Sequence, residues 1–342
     1  MKLNVAIMGA TGAVGQEMLR TLEVRQFPCT TLRLLASARS VGKKYPFRGR
    51  LLPVELLTPE SFAGIDIVLA SAGSSVSREF APHAVAAGAV VVDNTSAFRM
   101  DSDKPLVVPE VNPEALEKHN GIIANPNCST MQMVVALAPI HREAGIRRLV
   151  ISTFQSVSGT GQKAIEECLK QSRELLAGAK TVEAKVYPHQ IAFNVLPHIG
   201  SFTKNGYTDE EMKMVNETRK ILGDDSIAVT ATTVRVPVLR GHSECVNVET
   251  RKKITAAEVR ELLEGAPGVV VVDDPAQADY PTPVYSEGRD ETFVGRIRDD
   301  ISNPNAVEMW IVSDNLRKGA ALNAVQIAEE LVRRNLLRPV TV

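Results

Sequence analysis

The sequence predicts an α/β protein of two domains, the first built on a parallel sheet and the second an α+β domain with a mixed or antiparallel sheet. In the first third of the chain, short and nearly continuous apolar runs alternate with helical segments, a pattern typical of parallel strands covered on both faces. Beyond about residue 128 the predicted strands are longer and rich in β-branched residues, and one of them alternates in part.

The elements of the first domain follow one another as strand and helix. The apolar runs at 3–8, 32–36, 65–70 and 89–93 predict strands, and the segments 14–22 and 77–87 predict helices. We predict that this domain spans residues 1–127, and that a C-terminal helix at about 317–342 packs with it.

Three glycines, each three residues from the next, follow the first strand in the segment Gly9-Ala10-Thr11-Gly12-Ala13-Val14-Gly15. Glycine lets the backbone turn sharply and approach a pyrophosphate, and the N-terminus of the helix that follows offers unpaired N–H donors. The spacing is a variant of the dinucleotide-binding fingerprint. Its place on the first strand predicts a Rossmann-type domain, although the same glycines also suit an ordinary tight turn.

The segment after the second strand indicates which dinucleotide is bound. NAD sites usually carry an acidic residue about 20 residues past the glycines, and here none occurs between Glu23 and Glu55. Arg39 and Ser40 stand there instead, followed by two lysines. A guanidinium beside hydroxyls suits a 2′-phosphate and predicts NADP; a solvated basic loop is the alternative.

The second domain, predicted over 128–316, begins with a different pattern. We predict strands at 149–154 and 227–236, with 243–251 as the antiparallel neighbour of the latter, and helices at 163–176 and from Thr255 onward. Beyond this domain, residues 319–337 predict the long C-terminal helix. Glu258, three residues after Thr255, gives that helix the sequence of a capping box.

Cys128 is the candidate nucleophile. It follows Asn125-Pro126-Asn127 and precedes Ser129-Thr130 and an apolar helical run, so capping residues place it at or near a helix N-terminus. A helix N-terminus stabilises a thiolate. Beside a dinucleotide domain, a thiolate predicts attack on a carbonyl carbon followed by hydride transfer. A buried structural cysteine is the alternative, and the other three cysteines lack this polar setting.

His242 is the candidate proton-transfer group among six histidines. It stands in a predicted Pro/Gly turn after a strand that carries Arg235, seven residues earlier. We expect the Arg235 guanidinium to hold a carboxylate in a bidentate fork while His242 moves a proton. A structural histidine fits the same pattern.

Composition excludes several classes of function. With 39 basic and 40 acidic side chains the formal net charge is −1, which gives no global field for nucleic acid or an anionic membrane. The cysteines fit no zinc spacing, and we predict no metal. No apolar run approaches the ~18 residues of a membrane span. We therefore expect a cytoplasmic protein with reduced thiols.

Taken together, the motifs resemble those of the aspartate-semialdehyde dehydrogenase family, in order and spacing, over essentially the whole chain. The segments that carry the resemblance are Gly9 to Gly15, Asn127 to Thr130, Phe154 to Gly159, Arg235 to Val238 with Gly241-His242, and Asn315 to Ala321.

The resemblance implies a role for each matched position. Cys128 is the acylated nucleophile, His242 the acid/base and Gln155 the residue that positions the substrate. The implied substrate-binding residues are Arg235 for the carboxylate, Glu210 for the amine, Arg99 and Lys213 for phosphate, and Asn127; Glu211 is an alternative to Glu210. The implied NADP contacts are Gly9, Thr11, Gly12, Ala13, Val14, Arg39, Ser40, Ser158, Gly159 and Asn315.

The implied reaction is the reversible, NADP-dependent reductive dephosphorylation of L-aspartyl-4-phosphate to L-aspartate 4-semialdehyde, with release of inorganic phosphate. It serves lysine, threonine, methionine and isoleucine synthesis, and the implied assembly is a homodimer or a dimer of dimers through the second domain. Three alternatives stay open: a reductase of N-acetylglutamyl phosphate or glyceraldehyde 3-phosphate chemistry, a non-catalytic dinucleotide-binding paralogue, and a dehydrogenase without covalent chemistry.

Overall fold

The computed structural model describes residues 3–337; residues 1–2 and 338–342, which belong to the predicted first domain and C-terminal helix, lie outside the described residues. The chain divides into two compact units, one made of the residues up to Asn127 with those from Ala320 onward, the other of Cys128–Gly319. Within residues 3–337, every helix falls short of the length and apolar character that crossing a bilayer requires.

The first unit contains a seven-stranded sheet. Its strands are β1 (Leu3–Met8), β2 (Cys29–Ala36), β3 (Lys44–Phe47), β4 (Arg50–Leu56), β5 (Ile67–Ala70), β6 (Val90–Asp93) and β7 (Ile122–Ala124). Their spatial order is β3-β4-β2-β1-β5-β6-β7, and every pair except β3–β4 is parallel. The predicted parallel sheet is therefore confirmed. The short strands β3, β4 and β7 had not been predicted, because prolines and charges interrupt the first two.

Helices cover both faces of this sheet, as near-continuous apolar strands require. On one face, α1 (Ala13–Val24) packs its apolar side chains against β1, and α8 (Leu322–Arg333) packs against β5 and β6. On the other face, α2 (Ser74–Ala86) packs against β5 and β6. The prediction of one long helix over 319–337 is wrong in extent, because a π-helical turn, Arg317–Ala321, precedes α8 and Asn335 adopts a positive φ of 56° just after it.

The second unit contains a six-stranded mixed sheet. Its strands are β8 (Ile146–Gln155), β9 (Ala228–Arg235), β10 (His242–Thr250), β11 (Val269–Val271), β12 (Thr292–Asp299) and β13 (Ala306–Ser313). Its helices are α3 (Cys128–Ala144), α4 (Gln162–Leu176), α5 (Asp209–Leu222), α6 (Ala256–Glu264) and the single turn α7 (Pro283–Ser286). The predicted capping box of α6 is confirmed, since Thr255 and Glu258 bond each other's backbone N–H.

One predicted strand pairing is wrong. The order is β11-β12-β13-β10-β8-β9, so β10 lies between β13 and β8 and is antiparallel to both, while β9 pairs in parallel with β8. Strand pairing is decided by distant parts of the chain, and adjacency in sequence misled the prediction. His242 was expected in a turn but is the first residue of β10.

The connection between α3 and β8 places Cys128, which opens α3 as predicted, at one end of this sheet. Gly145 alone separates the two elements. The helix, ~25 Å long, therefore turns back along the strand, which is ~33 Å long, and both its N-terminus and the end of β8 lie toward the same edge.

Four strand ends meet at that edge. β8 ends at Gln155 and β9 at Arg235, which are partners in the parallel register. β10 begins at His242, opposite Ser313 at the end of β13. Polar side chains far apart in sequence, from Gln155 to Ser313, are thereby gathered at one edge of one sheet.

Candidate active site

The glycine loop of the first unit forms one wall of a cavity of about 510 Å³. Gly9 has a φ of +89°, and a Cβ there would lie 2.7 Å from the backbone of Ser71, so only glycine fits. Gly12 is the N-cap of α1, which starts at Ala13 and Val14. The residues lining the cavity are Gly9, Thr11, Gly12, Ala36, Ser37, Arg39, Leu57, Ser71, Ala72, Val76 and Phe80.

The residues predicted to select the cofactor lie in the turn after β2. Arg39 is exposed in a 3-10 turn, and Ser40 is buried with its hydroxyl 3.4 Å from that of Thr11. The structure therefore brings Thr11, Arg39 and Ser40 together with the glycine loop. A backbone cradle at a helix N-terminus beside an arginine suits a dinucleotide that carries an additional phosphate.

Two predicted substrate residues belong to this unit. Arg99 is buried; its Nε donates to the carbonyl oxygen of Asn125 (2.9 Å) and its Nη2 to that of Asn94 (3.0 Å). Asn127, the last residue before α3, is also buried. The two backbone bonds fix the guanidinium of Arg99 in place.

Cys128 occupies the first turn of α3 in the second unit, and its side chain is partly exposed. Gly319 lies directly against it: a Cβ on Gly319 would be 2.9 Å from the Cβ of Cys128. The thiol therefore stands at a helix N-terminus, where N–H groups and the helix dipole stabilise negative charge.

His242 is completely buried, and its surroundings determine its protonation state. The backbone N–H of Ser156 donates to Nδ1 at 3.0 Å. Because a backbone N–H can only donate, Nδ1 carries the lone pair and the proton of the neutral ring lies on Nε2. Burial and then the positive charge of Arg235 lower the pKa of His242 to about 3, against an opposing effect of Glu210. The imidazole is therefore neutral at physiological pH and presents an Nε2–H donor.

Arg235 lies beside this imidazole. Its Nη1 donates to the carbonyl oxygen of Ser156 (2.7 Å), while its buried Nε has no hydrogen-bond partner among the described residues. A Cβ on Gly159 would lie 2.9 Å from Nη1 of Arg235 and 3.2 Å from Nε2 of His242. The bare Cα of Gly159 thus borders both the guanidinium and the imidazole donor, and the unpaired Nε leaves one side of the guanidinium fork for a carboxylate.

The predicted substrate residues on α5 join Gln155. Gln155 is buried and its Nε2 donates to Oε1 of Glu210 at 3.2 Å, while Oε2 of Glu210 accepts from Nζ of Lys213 at 3.0 Å. Glu211 is used differently, because its carboxylate accepts from the N–H of Thr208, the helix N-cap, and from the N–H of Thr233 on β9. Of the two neighbouring acids, Glu210 is therefore the one whose carboxylate meets Gln155.

Asn315 and Ser158, both predicted to contact NADP, are buried and bonded to each other. The Oδ1 of Asn315 accepts from the hydroxyls of Ser156 and Ser158 and from the N–H of Gly241. These bonds hold the segment before His242 against the segment that donates to its ring.

Three residues of this site were not singled out from the sequence. Ser156 donates to His242, Gly319 packs on Cys128, and Gln132, one helical turn after Cys128, donates through Nε2 to the carbonyl oxygen of His242 at 3.3 Å. A signal for Gln132 was present, because it is a polar residue within an otherwise apolar helical run. The other two acquire their role only from contacts between distant segments.

The first unit has a parallel sheet with a glycine loop, and the second has a thiol at a helix N-terminus and a neutral histidine donor. These features are typical of dinucleotide-dependent oxidoreductases that work through a covalent thiol intermediate. Two family models match the chain: semialdehyde dehydrogenase, NAD binding domain, over residues 4–119, and semialdehyde dehydrogenase, dimerisation domain, over residues 137–318. The chain belongs to the aspartate-semialdehyde dehydrogenase family.

Individual relatives agree with this assignment. An aspartate-semialdehyde dehydrogenase of Aquifex aeolicus is 56% identical over 340 residues, which span 98% of this chain and 100% of that relative. A crystal structure of aspartate semialdehyde dehydrogenase II complexed with ASA from Vibrio cholerae matches with a TM-score of 0.95 and 51% identity, covering 97% of this chain and 99% of that one. The Candida albicans enzyme, solved with NADP, matches with a TM-score of 0.78 and 28% identity, covering 98% of this chain and 100% of that one.

Proposed function

We propose that the chain catalyses the reversible, NADP-dependent reductive dephosphorylation of L-aspartyl-4-phosphate to L-aspartate 4-semialdehyde, through a thioester on Cys128. The relatives' dehydrogenase activity supports the reaction class. The place of the activity is the biosynthesis of the amino acids derived from aspartate.

The single observation that carries this proposal is the gathering of polar groups at one edge of the second sheet. Cys128 opens the helix that runs back from that edge, and Gln155, Arg235 and His242 stand at the ends of three of its strands. This arrangement suits an acyl substrate that carries a carboxylate. The Cys128 thiol would attack the acyl carbon, the neutral His242 ring would donate a hydrogen bond, and the guanidinium of Arg235 has an unpaired Nε for the carboxylate.

NADP suits the first unit. The Gly9 backbone leaves no room for a side chain, and Arg39 lines the same cavity as the glycine loop. When bound, the cofactor supplies the hydride. Arg39 and the hydroxyls of Thr11 and Ser40 would hold the 2′-phosphate, and the N-terminus of α1 would hold the pyrophosphate.

The substrate is held by charge and hydrogen bonds at both of its ends. Arg235 binds the α-carboxylate with the side of its guanidinium that Ser156 does not occupy, and Glu210 meets the amine, with Gln155 bonded to it. Arg99 and Lys213 receive the phosphate. Both cations are already oriented by protein partners, which lowers the entropic cost of binding.

The thiolate of Cys128 attacks the acyl carbon, the carbon–oxygen bond to phosphate breaks, and a thioester remains. Hydride addition to that thioester produces a tetrahedral thiohemiacetal with negative charge on oxygen. Nε2–H of His242 and the backbone N–H groups at the start of α3 stabilise this oxyanion. Collapse breaks the carbon–sulfur bond, releasing the semialdehyde and restoring the thiolate.

The assembly we propose is a homodimer formed by the dimerisation domain. Helices α3, α5 and α6 pack on the second sheet. Side chains that alternate away from α3 remain partly exposed, among them Phe154 and Trp310, whose rings are tilted at 43° with centroids 5.6 Å apart. A second copy would cover these two rings. Trp310→Glu should then lower the mass measured by light scattering, and an unchanged mass would place the interface elsewhere.

A reducing cytoplasm suits an enzyme that depends on a thiol.

The function is tested by NADPH formation from L-aspartate 4-semialdehyde, NADP and inorganic phosphate, measured at 340 nm as a function of phosphate. Phosphate-dependent turnover in the wild type, lost in Cys128→Ala, is the expected result. The same assay with N-acetylglutamate semialdehyde tests whether that aldehyde is the substrate instead. Turnover with that aldehyde alone would keep the thiol chemistry and the carboxylate role of Arg235 but overturn the role of Glu210, because the acetylated nitrogen is no longer a free amine.

A further inference from the structure

A buried amide interrupts the apolar interior of α3. Gln132 lies four residues after Cys128, one turn along the same side of the helix, and is completely buried. Met131, Met133 and Val134 around it are buried and apolar. Burying an amide costs free energy unless both its donor and its acceptor find partners.

Both halves of this amide are bonded, and both partners lie at the sheet edge that carries the site. Nε2 donates to the carbonyl oxygen of His242 (3.3 Å), and Oε1 accepts from the hydroxyl of Ser313 (3.1 Å). His242 and Ser313 face each other in the register of β10 and β13. One side chain therefore ties the helix that begins at Cys128 to the strand that begins at His242.

Glu244 adjoins this connection. It lies two residues after His242, so its side chain is on the same face of β10. It is completely buried, and neither carboxyl oxygen has a hydrogen-bond partner among the described residues. Burial raises the pKa of Glu244 well above its usual range, with a smaller opposing effect of the Gln132 amide and no neighbouring charge contributing. Burial therefore favours the uncharged form of this side chain.

We propose that Gln132 is a positioning residue for the reaction, whose amide holds the backbone of His242 at a set distance from the first turn of α3. The inference rests on the proposed function, in which Cys128 attacks and His242 stabilises the oxyanion. Catalytic groups must be held to within about 0.5 Å of productive geometry, so loss of this connection should slow the chemical step rather than weaken binding.

The test variant is Gln132→Met, which keeps the volume and removes both hydrogen bonds. We expect kcat to fall at least tenfold, with KM for the semialdehyde and for phosphate within twofold of wild type. The matched control is Gln171→Met on α4, because Gln171 is also buried and its amide bonds the backbone of Glu183, Ile191 and Ala192. Gln171→Met should lower Tm about as much as Gln132→Met does, and it should leave kcat within twofold of wild type.

A wild-type kcat in Gln132→Met, or an equal loss in both variants, would overturn the positioning role. If Gln132→Met does not fold, Ser313→Ala removes one of the two bonds, and we expect a two- to fivefold loss of kcat; no loss would count against the proposal.

The ring nitrogens of His242 give a readout that does not depend on turnover. We expect their ¹⁵N resonances to shift in Gln132→Met and to stay in place in Gln171→Met. Inactivity of the wild type with the semialdehyde would refute the proposed function, whereas unchanged His242 resonances in Gln132→Met would refute the positioning.

Discussion

Gly159→Ala places a single methyl group between the two groups proposed to meet the substrate. The new Cβ would stand 2.9 Å from Nη1 of Arg235 and 3.2 and 3.3 Å from Nε2 and Cε1 of His242. An ordinary contact is about 3.5 Å or more, so the guanidinium must retreat by roughly 0.6 Å. Gly159 does not have a positive φ, so alanine leaves the backbone unstrained, and the guanidinium is the flexible end of a long side chain. The fold should therefore tolerate the methyl group.

The catalytic cost follows from the displaced guanidinium. Losing one charge-assisted hydrogen bond to the substrate carboxylate costs about 1.5–3 kcal/mol, which corresponds to a reduction in kcat/KM of about 10- to 150-fold. We expect most of the loss in KM for L-aspartate 4-semialdehyde, with the remainder in kcat because the methyl group also touches the imidazole. Tm should stay within ~2 °C of wild type, since alanine restricts the unfolded chain and offsets a small native-state cost.

The assay is steady-state kinetics of the semialdehyde oxidation with NADP held saturating, together with NADP affinity from fluorescence titration. Gly265→Ala is the matched control, because a Cβ there meets nothing closer than 4.0 Å and its φ is −92°. A Gly159→Ala enzyme with kcat/KM within twofold of wild type would refute the reasoning. A loss confined to NADP affinity would do so as well, because it would leave Gly159 with only the NADP contact that the family resemblance implies.

Four further outcomes are expected. Cys128→Ala should abolish turnover and leave NADPH affinity within twofold; measurable steady turnover would exclude the thioester. Arg235→Lys should raise KM for the semialdehyde about tenfold or more, since an ammonium cannot form the planar fork, and an unchanged KM would argue against carboxylate binding there. His242 should show an Nε2–H tautomer and no titration in ¹⁵N spectra between pH 5 and 8. Its native pKa of about 3 lies below the ordinary 6.5, so the unfolded state binds a proton that the native state does not. The free energy of unfolding should therefore fall as pH drops from 6.5 toward 3. Arg39→Ala should weaken NADPH binding about 10- to 100-fold and NADH binding little; equal losses for both cofactors would remove Arg39 from the 2′-phosphate.

The strand-and-helix alternation of the first domain could be predicted from sequence because its causes are local. Residues 3–8 are apolar except for Asn4, so they indicate a buried parallel strand. The glycines that follow predict a turn into a helix. Cys128 at the start of α3 was predictable for the same reason, since Asn127 and Ser129 beside it are residues typical of helix starts. In each case a few neighbouring residues carry the whole signal.

The strand pairing of the second domain could not be predicted from local sequence patterns. Residues 243–251 were assigned as the neighbour of 227–236, but β8, about 80 residues earlier in the chain, lies between them. The residue patterns of β9 and β10 would suit several pairings. Which strands pair is decided by the packing of α3 and α5 against the completed sheet. His242 was consequently expected in a turn, whereas it opens β10.

Hydrophobic periodicity, capping and backbone sterics act over a few residues. They were therefore enough to predict the strand–helix alternation of the first domain, the glycine loop, the absence of an acidic residue between Glu23 and Glu55, and the nucleophile at a helix start. The tertiary structure alone decided that Ser156 keeps the proton of His242 on Nε2, that Glu210 rather than Glu211 meets Gln155, and that Gln132 joins α3 to β10. Those assignments depend on hydrogen bonds and desolvation between segments up to 110 residues apart, and such energies exist only once the segments have been brought into contact.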